Sequence, residues 1–142
     1  MLAKFSTFSE EQKKEIVEIC RTLVALSNKA RREGILALEE SLDDQLTGAN
    51  KRERLMFALF RLMVDGTDGK NIAEVADNYI DSSASCDFDR FAFTLIKKGV
   101  LSIQCGENPR VLQLLCLSCI GFDDEDWFCE QTGFAHWNEY DW

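Results

Sequence analysis

The side chains best suited to chemistry in this 142-residue chain are thiols and one imidazole. Cys116 and Cys119 form a CxxC, with Cys129 and His136 downstream as third and fourth ligands for a tetrahedral zinc ion. Structural zinc sites usually show two well-spaced ligand pairs, whereas this pair lies in a helix-period apolar stretch where cysteine serves as a small hydrophobe. Asp65 and Asp68, in the string VDGTD, could work as paired carboxylates, but a turn residue and a helix cap account for both. His136 is the sole histidine, there is no glycine-rich phosphate loop, and no serine or cysteine sits in a nucleophile setting. The expectation is a non-catalytic protein with no cofactor and no bound metal.

A second chemistry is recognition by charge. The stretch Ala30 to Glu40 reads ARREGILALEE, with Arg31, Arg32 and Glu33 at one end and Glu39 and Glu40 at the other. Ile35, Leu36 and Leu38 lie between, so the stretch reads as an amphipathic helix, apolar side to a core and charged side to solvent.

The elements that must carry these residues are helical. Ser9 and Gln12 make a capping-box pattern, and Ile16, Ile19, Cys20, Leu23, Leu26 and Ala30 then define one stripe. The later stripe of Ile35, Leu38, Leu42 and Leu46 is rotated by roughly a quarter turn from the first at about 100° per residue. A bend or a change of packing partner is therefore expected at Gly34, the poorest helix former in the segment. Lys51 to Val64 reads as the next helix, ended by Asp65 and Gly66. Asp68 caps a helix with Ile72, Val75, Ala76, Tyr79 and Ile80 inward. Phe88 to Ile103 supplies aromatic bulk, and Asn108 with Pro109 opens a last helix, since proline's missing donor costs nothing in a first turn. The expected fold is all-α, a compact bundle of about five helices over residues 1–121, followed by an acidic aromatic tail over 122–142.

Composition narrows the partners. Net charge is −9, and residues 122–142 hold seven acids and no Lys or Arg, leaving −2 on the first 121 residues. That balance argues against nucleic acid or anionic lipid as main partner. The longest uncharged apolar-rich run, residues 111–122, has 12 residues, short of the roughly 20 that a spanning helix needs. The opening residues lack the apolar core of a signal peptide, so a cytoplasmic location and reduced thiols are expected. The tail also contains Trp127, Trp137 and Trp142, all the tryptophans of the chain, with Phe122, Phe128, Phe134 and Tyr140. So many aromatics would be adhesive in water, and either they fold back on the domain or they anchor on another protein.

Three stretches in order, ARREGILALEE, RLMVDGTD at 61–68 and IKKGVLSIQCGENPRVLQLLCLSCIG at 96–121, resemble the cytoplasmic parts of MotA and PomA, the stator subunits of the bacterial flagellar motor. The spanning helices of that family have no counterpart here, and the serine-rich join at 81–86 stands where its membrane hairpin would be. The resemblance implies a protein that neither conducts ions nor generates torque alone. It also implies docking on the rotor protein FliG or on other motor components, through Arg31 and Glu39, with Arg32 as a substitute for Arg31. Eight helical residues would put Arg31 and Glu39 about 12 Å apart, too far to pair with one another. An alternative is a scaffold or adaptor that uses the acidic aromatic tail, with Trp127, Trp137 and Trp142 as anchors.

Overall fold

Every helix start tied above to a capping residue is made by that residue in the computed structural model, which describes residues 2–136. Ser9 Oγ accepts from the Gln12 amide at 3.2 Å while the Gln12 side chain accepts from the Ser9 amide at 3.0 Å, opening α1 (Glu10–Glu33). After Gly34 and a 3₁₀ turn (Ile35–Ala37) comes α2 (Leu38–Gln45). Asn50 caps α3 (Lys51–Val64) by accepting from the Glu53 amide, and Asp68 caps α4 (Gly69–Ser83) by accepting from Asn71 at 2.9 Å. The helix α5 (Asp87–Gln104) follows, and then α6 (Pro109–Ile120) with Pro109 in its first turn and Asn108 as cap. A 3₁₀ turn (Phe122–Asp124) leads into α7 (Glu125–Thr132). Among the described residues there is no strand.

Among the described residues the architecture is all-α with seven α-helices, not about five. One extra helix arises because ARREGILALEE is not a single helix: α1 stops at Glu33 and the chain turns at Gly34. The other arises because the acidic segment itself coils into α7, whose Phe128 is fully buried. Phe5 explains how α7 is held. It lies in a 3₁₀ turn (Phe5–Thr7), is 1% exposed, and its ring packs near Phe91, Trp127 and Phe128 at centroid distances of 6.2 to 6.3 Å. The chain start and α7 thus share one aromatic cluster.

At the centre lies α5, packed against α1, α3, α4 and α6, while α2 packs chiefly on α3 and α7 on α1 and α6. The two stripes separated by Gly34 are both buried: Ile16, Ile19, Cys20, Leu23 and Leu26 on α1, and Leu38, Leu42 and Leu46 on and just after α2. Leu36 departs from expectation. It points outward, 74% exposed, because the 3₁₀ turn interrupts the helical period on which its inward placement rested. Tyr79 also departs, being 44% exposed beyond the edge of the α4 stripe.

Gly34 (φ 91°, ψ 160°) and Gly121 (φ 94°, ψ 161°) end α1 and α6 in the same way, each followed by a 3₁₀ turn and an eight-residue helix. That backbone region is essentially closed to any residue with a Cβ. A Cβ at either position would touch nothing within 4 Å, so the cost of substitution is conformational and not steric. Gly34→Ala and Gly121→Ala should each lower unfolding free energy by about 1–3 kcal/mol in chemical denaturation. Unchanged midpoints in both variants would contradict this turn geometry.

Candidate functional site

The charged stretch becomes a corner between two helices. Arg31 and Arg32 occupy the last turn of α1 and Glu39 and Glu40 the first turn of α2, the ends at which the helix dipoles favour those signs. All four are exposed. The corner is fixed from below by Lys29, whose Nζ donates to Ser41 Oγ at 2.7 Å across the break, and by Leu38 and Leu42 in the core. Leu36 projects from the turn between the charges.

Arg31 and Arg32 form no ion pair among the described residues, but Glu39 does. Arg61, near the end of α3, lies 3.5 Å from Glu39 and 3.7 Å from Asp65. Both partners are about half exposed, so the pair contributes little to stability. It does show that Glu39, expected to address a partner, already has a charge of its own chain beside it. It also brings together two of the resemblance stretches, since Arg61 opens RLMVDGTD. Asp65 and Asp68 of that string have separate structural duties, at the end of α3 and as cap of α4.

The thiols are not gathered into a ligand set, and among the described residues no three His, Cys, Asp or Glu side chains are placed to hold a metal. Cys116 is buried beside Cys20 of α1. Burial pushes the Cys20 thiol well above its usual range, with Cys116 adding to the shift, and burial likewise raises Cys119. Such thiols stay protonated at neutral pH and are poor metal ligands and nucleophiles. Cys129 is buried in α7, and His136 lies 3.3 Å from Asp126.

Of the three tryptophans, Trp127 is half-buried against the core, while Trp137 and Trp142 lie outside the described residues. Comparison with protein-family models, curated proteins and solved structures finds no match.

Two features were missed in the sequence. One is an ionic cluster under the serine-rich join. Asp89 is 5% exposed, accepts from the Ser85 amide and hydroxyl at 3.1 and 2.9 Å, and lies 3.2 Å from Arg52 and 3.7 Å from Lys51. Arg52 also pairs with Glu15 of α1 and stacks over the Phe88 ring at 5.2 Å, so three helices meet on one guanidinium. Asp89 falls in step with Phe93, Ile96, Val100 and Ile103, and an acid on that apolar stripe was the available signal. The other is a groove of about 420 Å³ beside α3 and α4, floored by Leu55, Phe57 and Phe93 and edged by Lys51, Arg54 and Tyr79. Its walls come from separate helices, so no local pattern reports it. No helix among the described residues is long and apolar enough to cross a membrane.

Proposed function

We propose that this chain is a non-catalytic interaction module of the flagellar motor, a cytoplasmic MotA-like protein that docks on FliG or on stator components through the Gly34 corner. The observation that supports it is Leu36, a large apolar side chain 74% exposed in the turn that follows Arg31 and Arg32, which form no ion pair among the described residues, and precedes Glu39. Helix dipoles account for the charges, but they do not account for the leucine. An apolar anchor ringed by charges is the composition of a small docking site, in which the anchor supplies affinity and the charges supply steering.

The test is binding to the carboxy-terminal domain of FliG from the same organism, measured by titration calorimetry at low and high salt. Binding should be weak and salt-dependent. Reversing Arg31 and Glu39 together, or replacing Leu36→Asp, should weaken it at least tenfold. Leu36→Asp should leave the melting temperature unchanged, since Leu36 is 74% exposed, whereas the double reversal should lower it slightly, because it sets both charges against the helix dipoles and a cation beside Arg61. Equal affinity in both variants would remove the corner from the contact.

A second reading is a scaffold or adaptor that uses its acidic aromatic segment, unrelated to torque. It is favoured by Phe122, which stands 90% exposed at the head of that segment. Partner capture that survives corner mutation and is lost in Phe122→Ala would select this reading over the first.

A further inference from the structure

The groove beside α3 and α4 and the exposed Phe122 are complementary, and both belong to one chain. The groove has an apolar, partly aromatic floor of Leu55, Phe57 and Phe93, and its volume of about 420 Å³ accommodates an aromatic side chain with its neighbours. Its rim is cationic on a chain of net charge −9. Lys51 Nζ is already engaged with the Ser83 carbonyl and Ser85 Oγ at 3.0 and 3.2 Å, but Arg54 is exposed and makes no ion pair among the described residues.

Phe122 has the matching properties. Gly121 and the following 3₁₀ turn hold it at a fixed place, so little ordering is needed when it binds. Exposed Asp123 follows it directly, with Asp126 beyond, and residues 122–142 contain no Lys or Arg to oppose a basic rim. The turn that carries Phe122 packs against α6, α7 and the Phe5 turn, whereas the groove is lined by α3, α4, α5 and residues 46–48 before α3. In its own chain Phe122 is 90% exposed and therefore does not occupy that groove.

We infer that the chain associates with itself head to tail, Phe122 of one copy seating in the Leu55, Phe57 and Phe93 groove of the next while Asp123 meets Arg54. Two different patches make a heterologous contact, which propagates into open chains or closes into a ring. The inference is independent of the docking corner at Gly34.

Sedimentation velocity over micromolar to near-millimolar concentration tests it. The mean mass should rise with concentration beyond a dimer. Phe122→Ala and Arg54→Glu should each abolish the rise while melting like the parent protein. Mixed together, the two variants should form a one-to-one pair and stop there, since each retains one working face. A monomer at every concentration overturns the inference, as does association that persists in Phe122→Ala. Association lost on removing residues 137–142 but kept in Phe122→Ala would assign the groove to that segment and also overturn it.

Discussion

Phe128→Ala should cost about 3–5 kcal/mol of unfolding free energy, the range for removing a buried phenylalanine. Phe128 is fully buried, with its ring 6.3 Å from Phe5 and 5.9 Å from Phe134 in edge-on arrangements. Its loss leaves a void between α1, α6 and α7 that rigid neighbouring helices cannot fill. A domain of this kind has about 5–15 kcal/mol in all, so the variant would be marginal. Phe122→Ala, six residues earlier, should change stability by no more than about 0.5 kcal/mol because that ring is 90% exposed. Urea denaturation of the two variants side by side separates a packed helix from a solvated tail. Equal, small effects would mean that α7 does not contribute to the core.

The contrast between those two phenylalanines marks how much of the molecule is readable in order along the chain. Capping is local chemistry, and Ser9 with Gln12, Asp68, and Asn108 with Pro109 start their helices as their spacing requires. The jump in phase between the stripes of Leu26 and Leu38 located the break at Gly34, although the same stretch also read as one amphipathic helix. The 3₁₀ turn that follows was not readable, and with it went the direction of Leu36. Placement against distant partners was less accessible still. Nothing near Phe5 indicates that it would meet Phe128, and nothing near Asp89 indicates that Arg52 and Lys51 lie opposite. For the candidate site, the sequence supplied Arg31, Arg32 and Glu39 but neither the exposed leucine between them nor the Arg61 that competes for Glu39.

The Asp89 cluster carries the second large effect, and its size depends on pH. Burial alone would raise the Asp89 pKa, but the Ser85 amide and hydroxyl, together with Lys51 and Arg52, more than offset that and hold it below the usual carboxylate value. A carboxyl with a lowered folded-state pKa stabilises the fold above its unfolded pKa of about 3.9, and that contribution fades as pH falls through the folded value. Asp89→Asn keeps the shape but removes the charge, and its NH₂ replaces one of the two oxygens, setting a donor against either Arg52 or the Ser85 and Lys51 donors. Breaking one partner out of a buried ionic cluster typically costs about 3–5 kcal/mol. The lower end applies here, because Arg52 retains Glu15 and the Phe88 ring. At neutral pH the variant should therefore be about 3 kcal/mol less stable than the parent. The gap should narrow as pH drops below about 4, where the unfolded parent begins to bind a proton at Asp89 that the folded parent still excludes. Denaturation of both proteins at pH 7 and at decreasing pH below 4 measures that convergence. A gap that stays constant across the acid range would show that the cost lies in packing around the join and not in the charge of Asp89.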